Sequence, residues 1–297
     1  MRALFTTQST LSHWHQLVPL AQAVEQAGHE VAFTALPRFR QTIEAQGFRT
    51  FLAGSDETPE ERRQRREQMA GLNPEEDTIF TLRKVFAGVM AERSLPAMLD
   101  LMRDWLPDIV VHENTEFAGC VAAESAGIPH AVVQITAPWL FYLDAVEPPV
   151  MRLCASVGLS PATLPDLLYH YLLLFPRPLS LWDPSVPLPL TTHAYRYAGF
   201  SQSGEEGLPT WVAELQERST VYATLGTFEN SMTEILAAIL EGLRDEPINL
   251  ILTVGRNRDP QEFGPQPPNV HVERYIPQSL LLPHCDLVLC HGGSGTV

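Results

Sequence analysis

A histidine followed by small residues near the end of the chain has the composition of an anion-binding turn. The run is His291-Gly292-Gly293-Ser294-Gly295-Thr296, and the apolar stretch 286–290 before it predicts a buried parallel strand. Glycines let a backbone approach a ligand closely, and Ser294 and Thr296 offer hydroxyl groups. A helix is predicted to start at this run, and the first turn of a helix presents unpaired N–H groups to an anion. The pattern therefore predicts a phosphate-binding turn.

Two further positions could support such a site. Thr227 closes a second turn of small residues, 224–227, and Arg256 follows a strand predicted over 249–254. Neither turn has the glycine spacing of a dinucleotide fingerprint or of a P-loop, so a nucleotide-binding oxidoreductase or epimerase is disfavoured. Arg256 is either a counter-charge for phosphate or an ordinary surface residue.

A different chemistry is available near the N-terminus. His13 follows a strand predicted over 2–7 and precedes a helix predicted over 16–27, so we place it in the loop between them. Imidazole titrates near neutral pH, which suits a general base, although a loop or helix-capping histidine is the alternative. Glu113 and Glu116, at the end of another predicted strand, could each orient this base or be surface carboxylates.

A zinc site near the end of the chain is the next alternative, because His284, Cys285, Cys290 and His291 cluster there. If 286–290 is a strand, the two pairs lie roughly 15 Å apart at its opposite ends. Zinc needs its ligands within about 2.3 Å of one point. We therefore predict no metal site. The four cysteines are too few and too scattered for a disulfide scaffold and are expected to be free thiols.

The elements that must position these residues alternate between strand and helix. Such βαβ units build a parallel sheet, and ligands bind beyond the carboxyl ends of its strands. The candidate stretches at those ends are 8–13, 112–116 and 134–139. The first-half strands are predicted at 2–7, 30–34, 48–52, 107–113 and 130–134, and the helices at 16–27, 37–46, 79–104 and 116–126.

The middle of the chain has a different character. Leucine-rich helices are predicted near 150–158 and 163–174, and the prolines between 176 and 189 favour a stiff, extended connection. The run 201–207 resembles a flexible junction, so we predict one domain over 1–203 and a second over 204–297. The α/β alternation resumes after it, and a ligand cleft is expected between the two halves.

Bulk composition limits the class of protein. A net charge of −15 argues against a nucleic-acid binder, because phosphate backbones are held mainly by Lys and Arg. We find no apolar span of membrane length and no signal-peptide pattern at the N-terminus, so a cytoplasmic location is expected. The charged run 60–67 predicts a solvated helix face or a mobile loop.

A set of short motifs extends over nearly the whole chain, at 12–21, 27–31, 107–113, 116–119, 222–227, 275–278 and 291–296. In this order they resemble the GT-B glycosyltransferases that use nucleotide sugars, the UDP-glycosyltransferase-like proteins. The similarity is greatest to the bacterial branch that glycosylates macrolides and aromatic polyketides. The resemblance implies an α/β protein of two Rossmann-like domains facing a cleft, the second of them incomplete.

The resemblance also implies a function for each domain. The first domain would bind a hydrophobic natural product as acceptor, with His13 as the general base and Glu113 or Glu116 as its helper. The acceptor hydroxyl would displace the nucleotide with inversion, without a metal or cofactor. The co-substrate would be a TDP- or UDP-sugar.

The second domain would bind that nucleotide sugar. By the resemblance, Thr227 makes a second phosphate-side contact, and Tyr275 and Ile276 flank the nucleotide base. The diphosphate-binding turn corresponds to His291, Gly293, Ser294, Gly295 and Thr296.

In the family, the glycine turn is followed by a helix, a strand, a carboxylate–glutamine pair that grips the sugar, and a final helix. These are absent from the 297 residues, so we expect the natural protein to continue beyond Val297. We also expect exposed apolar surface on the second sheet and an inactive chain. A non-catalytic helper or binding subunit is the alternative hypothesis, and a homodimer or an activator protein stays open as a partner.

Overall fold

The computed structural model describes residues 1–136, 142–200, 207–226, 233–293 and 295–296. Contacts divide the chain into two compact units, Met1–Ala198 and Gly199–Val297. The predicted boundary between 203 and 204 lies outside the described residues, as do Thr227, Ser294 and part of the candidate stretch 134–139.

The first unit contains a parallel sheet of seven strands in the order β3-β2-β1-β4-β5-β6-β7. Its strands are β1 (Arg2–Thr6), β2 (Glu30–Ala35), β3 (Arg49–Leu52), β4 (Ile109–Glu113), β5 (His130–Val133), β6 (Leu172–Phe175) and β7 (Thr192–Ala194). Strand order reverses direction between β1 and β4, which are hydrogen-bonded neighbours. The carboxyl ends at this reversal are where ligands bind in doubly wound sheets.

Helices of the first unit connect the strands. They are α1 (Leu11–Gln26), α2 (Pro37–Glu44), α3 (Pro59–Met69), α4 (Pro74–Phe80), α5 (Ala91–Asp104), α6 (Phe117–Ala126), α7 (Leu143–Ser156) and α8 (Leu164–Leu168). The π-helical segment Thr81–Met90 joins α4 to α5 and bends at Gly88, which has φ −96° and ψ −107°. The helix predicted over 79–104 is therefore continuous but kinked. α3 contains the whole charged run 60–67 and has no buried residue, which confirms the prediction of a solvated helix face.

The prediction that His13 lies in a loop was wrong. α1 begins at Leu11, after Thr10 in extended conformation, so His13 is in its first turn. Pro19 disfavours a helix that starts well before it, because proline is accepted in the first turn of a helix and not in its interior. In the structure Pro19 is internal, where it cannot bond the carbonyl of His15. The Tyr197 hydroxyl donates to that carbonyl instead, at 3.0 Å.

The helix predicted over 163–174 was also wrong in its second half. α8 ends at Leu168, and Leu172–Phe175 forms β6, because a short leucine-rich run fits a buried strand as well as a helix. The proline-rich segment contains a 3₁₀ turn, Leu179–Leu181, and leads to the edge strand β7. Prolines are tolerated next to an edge strand because its outer side needs no hydrogen bonds.

The second unit contains a parallel sheet of four strands in the order β10-β9-β8-β11. Its strands are β8 (Thr220–Thr224), β9 (Asn249–Thr253), β10 (Val270–Glu273) and β11 (Leu287–Cys290), its helices are α9 (Thr233–Leu243) and α10 (Gln278–Leu281), and its 3₁₀ turns are Thr210–Glu214, Pro260–Phe263 and Leu282–His284. Strand order reverses between β8 and β11, again placing two strand ends at a ligand-binding position. The expected exposed apolar surface is present on β11, where Leu287 is 54% and Leu289 39% exposed.

None of the helices described in either unit has the length and apolar character needed to cross a bilayer.

Candidate active site

His13 and Glu113 meet where the strand order of the first sheet reverses. His13 is in the first turn of α1, which follows β1, and Glu113 is the last residue of the neighbouring strand β4. The distance from His13 Nδ1 to Glu113 Oε1 is 3.0 Å. The carboxylate is fully buried, whereas the imidazole keeps 16% of its surface exposed. The histidine can therefore reach a ligand while its partner cannot.

Glu113 is held as a carboxylate by several donors. Thr115 donates its backbone N–H to Oε2 at 2.6 Å and its hydroxyl to the carboxylate at 2.8 Å, and the Gln8 N–H lies 3.2 Å from Oε1. Burial by itself raises the pKa of Glu113, but His13 and the Thr115 hydrogen bonds outweigh it, so the pKa is lowered overall. An ionised Glu113 accepts a hydrogen bond from Nδ1–H, which leaves Nε2 as the basic nitrogen of His13.

Glu116 has a different position from Glu113. It is the N-cap of α6 and accepts the N–H groups of Ala118, at 2.9 Å, and of Gly119, at 3.0 Å. It also accepts the hydroxyl of Thr6. Burial raises the pKa of Glu116 to about 7. Of the two carboxylates that the sequence left open, the geometry brings Glu113 to His13 and directs Glu116 to the helix N-terminus.

Phe86 is a site residue that the sequence did not reveal. Its ring lies edge-on to the His13 imidazole, with 5.7 Å between the ring centroids. It belongs to the π-helical segment 81–90, and π-helical turns often occur at functional sites. It lies in the helix predicted over 79–104, and an apolar residue that faces a site has the same helical spacing as one that faces the core. Thr115 and Gln8 lay within the candidate stretches but were not singled out.

The glycine turns of the second unit meet at its own strand reversal. The imidazole of His291, just beyond β11, packs against Gly226, just beyond β8. A Cβ atom on Gly226 would lie 2.4 Å from this ring, and one on Gly293 would lie 2.2 Å from it. Gly226 also has a left-handed φ of +70°. Glycine is therefore required at both positions for the ring to lie between the turns.

The described residues of the rest of the predicted phosphate turn are held by two hydrogen bonds. Thr296 donates its N–H to the Gly293 carbonyl at 2.9 Å, and Gln278 donates its side-chain N–H to the Thr296 hydroxyl at 3.3 Å. Gly295 is exposed between them. Ser294 and Thr227, predicted for the same site, lie outside the described residues.

Arg256 and Tyr275 contact each other at the ends of neighbouring strands. The Arg256 guanidinium carbon lies 3.7 Å above the centre of the Tyr275 ring, which is a cation–π contact. They follow β9 and β10, which are hydrogen-bonded partners in the sheet. Ile276 is only 2% exposed and packs against Tyr222 and Ile251 in the core. Only the main chain of Ile276 could therefore face a nucleotide.

The two halves of the zinc cluster considered from the sequence lie at opposite ends of β11, as expected. His284 and Cys285 precede the strand, and His291 follows Cys290 at its end.

Comparisons with known proteins indicate the family to which the chain belongs. Residues 22–138 match the family model "Erythromycin biosynthesis protein CIII-like, N-terminal domain". The chain is 29% identical to 10-deoxymethynolide desosaminyltransferase of Streptomyces venezuelae, over 100% of this chain and 77% of the relative. It is 30% identical to L-demethylnoviosyl transferase of Streptomyces niveus, over 100% of this chain and 76% of the relative.

A solved structure gives the same result. The crystal structure of glycosyltransferase VinC in complex with DTDP superposes with a TM-score of 0.73 at 26% identity, covering 100% of this chain and 77% of VinC. Together, the two parallel α/β sheets and this likeness show the GT-B fold of glycosyltransferases. The chain belongs to the family of nucleotide-sugar-dependent GT-B glycosyltransferases that includes these macrolide and polyketide enzymes. The predicted fold class and enzyme class are confirmed.

Proposed function

We propose that this glycosyltransferase moves a sugar from a nucleoside diphosphate to a hydroxyl group of a hydrophobic natural product, with inversion at the anomeric carbon. The observation that carries the proposal is the 3.0 Å contact between His13 and the buried carboxylate of Glu113. A histidine that is accessible on one side and fixed by a carboxylate on the other has the arrangement of an oriented general base.

On the acceptor side, Nε2 of His13 takes the hydroxyl proton as the acceptor oxygen attacks the anomeric carbon. The imidazolium that forms is stabilised by the negative charge of Glu113. Thr115 and Gln8 fix the carboxylate, so the imidazole does not have to reorient during the reaction. Glu116 contributes by capping the helix next to this strand end and does not transfer a proton.

On the donor side, the bond from the anomeric carbon to the diphosphate breaks, and negative charge increases on the leaving diphosphate. His291 and the backbone of the glycine turn would stabilise that charge. Arg256, stacked on Tyr275, would add a positive charge at the nucleotide side. No metal or cofactor takes part in the proposed steps.

The relatives support the identity of the substrates. VinC was solved with DTDP, which favours a thymidine nucleotide over a uridine nucleotide as the carrier of the sugar. The relatives are named for transfer of sugars such as desosamine, and 10-deoxymethynolide is the acceptor in one of the names. We therefore propose a dTDP-sugar as donor and a macrolactone or aromatic polyketide as acceptor.

The test is a transfer assay with a panel of dTDP- and UDP-sugars and macrolactone and anthracyclinone acceptors. Mass spectrometry detects the glycoside, and NMR assigns its anomeric configuration. Any glycoside formed should have the anomeric configuration opposite to that of the donor, and its formation would overturn the expectation that the chain is inactive. Retained configuration would refute inversion, and absence of both transfer and calorimetric dTDP binding would refute the donor assignment.

The same assay decides between catalysis and the helper hypothesis. It is performed first with this protein alone and then with candidate accessory proteins from the same biosynthetic source. Transfer by the protein alone would exclude a need for an activator. Light scattering on the same sample tests for a homodimer.

A further inference from the structure

A buried cluster of metal-ligand types lies outside the proposed active site. His112 comes from β4, His130 from the neighbouring strand β5, and Cys120 from α6, which covers these strands. All three are at most 1% exposed. One donor atom from each lies within 4.8 Å of the other two. The proposed reaction uses none of these side chains.

The hydrogen bonds of the two imidazoles need more hydrogens than neutral rings provide. His112 Nδ1 faces the Glu113 carbonyl at 3.3 Å, His112 Nε2 faces His130 Nδ1 at 3.0 Å, and His130 Nε2 faces a carboxylate oxygen of Glu124 at 3.0 Å. The two ends of this series are oxygen acceptors, so each of the three contacts needs its own hydrogen. Two neutral imidazoles carry only two N–H groups. The series is completed either by a third hydrogen, on Glu124 or between the rings, or by a metal cation between the two facing nitrogens.

The outer contacts are those that metal-binding histidines make. Such a histidine usually donates its other ring N–H to a carboxylate or to a backbone carbonyl, which fixes the ring. His112 has the Glu113 carbonyl in this position, and His130 has Glu124. Glu124 is itself held by His170, at 2.7 Å. Both lone pairs, on His112 Nε2 and His130 Nδ1, then point into the same space.

Cys120 supplies a third donor to that space. Its Sγ atom lies 4.0 Å from His130 Nδ1 and 3.9 Å from His130 Nε2, so it is about equally far from the two ring nitrogens. Donor atoms around a tetrahedral zinc ion are separated by roughly 3.3–3.8 Å, given bonds of about 2.0–2.3 Å. The N–N distance lies below this range and the S–N distance above it, so the Cys120 side chain has to turn toward His130 Nδ1 to reach ligand spacing. A fourth ligand would complete a tetrahedral site.

We propose that His112 Nε2, His130 Nδ1 and Cys120 Sγ bind a Zn²⁺ ion that links β4, β5 and α6. The ion takes the place of the hydrogen between the two rings, and the thiol binds as a thiolate, so protons are released to solvent on binding. Its function is structural, because it supports the strand that ends in Glu113 and the helix capped by Glu116.

The experiment uses tag-free protein purified without chelators. Zinc is measured by mass spectrometry, and Co²⁺ replaces it for absorption spectroscopy, in which a bound thiolate gives an intense charge-transfer band. We expect one ion per chain, the thiolate band in the wild type, and a lower melting temperature after removal of the metal. Cys120→Ser should lose the band. Cys154→Ser, which removes another fully buried thiol, should keep it.

A variant of the outer contact adds a test that leaves the three ligands in place. Glu124→Ala should weaken Zn²⁺ binding by about 10- to 100-fold. If Cys120→Ser does not fold, the Co²⁺ spectrum and metal content of the wild type still decide. Metal-free wild-type protein that takes up neither Zn²⁺ nor Co²⁺ would overturn the proposal and leave a shared extra proton between the rings. Bound Co²⁺ without a thiolate band would also overturn it.

Discussion

His13 Nδ1 lies 3.0 Å from Oε1 of Glu113, a residue 100 positions further along the chain. The parallel pairing of β1 with β4 creates this contact, because it brings the carboxyl ends of the two strands to the same edge of the sheet. A base from one strand connection and its orienting carboxylate from another are thereby held by the backbone of the sheet.

The charge of Glu113 can be removed with little change in shape by Glu113→Gln. The amide cannot stabilise an imidazolium, and its NH₂ group would oppose the N–H of His13. We expect the turnover number to fall by roughly 10²–10⁴-fold, the range seen when such a carboxylate or base is lost. Steady-state kinetics, with dTDP affinity by calorimetry, measure the effect. Glu116→Gln is the matched control and should keep the turnover number; an equal loss in both variants would contradict the separate roles.

Glu116 should make stability depend on pH. Its pKa is raised from 4.5 to about 7 in the folded state. The protonated carboxyl therefore stabilises the folded state fully below pH 4.5, and this stabilisation is lost as the pH rises to about 7. The free energy of unfolding should differ by on the order of 3 kcal/mol between these two pH limits. Glu113 acts in the opposite direction, because its lowered pKa gives stability that is lost below pH 4.5. In urea unfolding between pH 4.5 and 7.5, the free energy of unfolding of the wild type should fall as the pH rises. In Glu116→Gln it should change less with pH. Parallel profiles would refute the raised pKa.

The α/β class and the strand ends that carry the site could be predicted from the sequence, because apolar runs and glycine-ended helices repeat with clear spacing. The choice between Glu113 and Glu116 could not. Both lie at the carboxyl end of the same strand, and only the direction of each side chain separates them. Phe86 was hidden for a similar reason, since an apolar residue facing a site has the same spacing as one facing the core.

Gly226→Ala should disturb the phosphate turn through His291. The added Cβ would lie 2.4 Å from the imidazole and would force the ring to move. We expect dTDP affinity to fall by about tenfold or more, which corresponds to about 1.4 kcal/mol. Gly264→Ala is the matched control, because Gly264 has the same φ of +70° and open space around its Cβ position. Calorimetry that finds equal losses in both would show that backbone strain, and not His291, is responsible.

Tyr197 should stabilise α1 at the point where Pro19 interrupts its hydrogen bonds. Tyr197→Phe removes the donor to the His15 carbonyl and should lower the free energy of unfolding by about 1 kcal/mol. The loss should be smaller in a Pro19→Ala background, because residue 19 then supplies its own N–H to that carbonyl. Tyr195→Phe is the control, since the Tyr195 hydroxyl has no hydrogen-bond partner among the described residues. Equal losses in both backgrounds would refute the link between Tyr197 and Pro19.

This contact also explains why the start of α1 could not be placed from the sequence. The rule that puts proline in the first turn of a helix is local. The hydroxyl that makes an internal proline tolerable comes from residue 197, far along the chain. β6 was missed for a related reason, because a leucine-rich run becomes a strand only when β5 and β7 are present on either side of it.

The central claim, that His13 is the base, is tested most directly by comparing the turnover number of His13→Gln with that of the wild type. The acceptor and dTDP-sugar are the pair found in the transfer assay, and dTDP affinity is measured on the same samples. We expect turnover to fall by roughly 10²–10⁴-fold with unchanged dTDP affinity, because the proton acceptor is lost and the donor site is not. Turnover equal to that of the wild type would contradict the account.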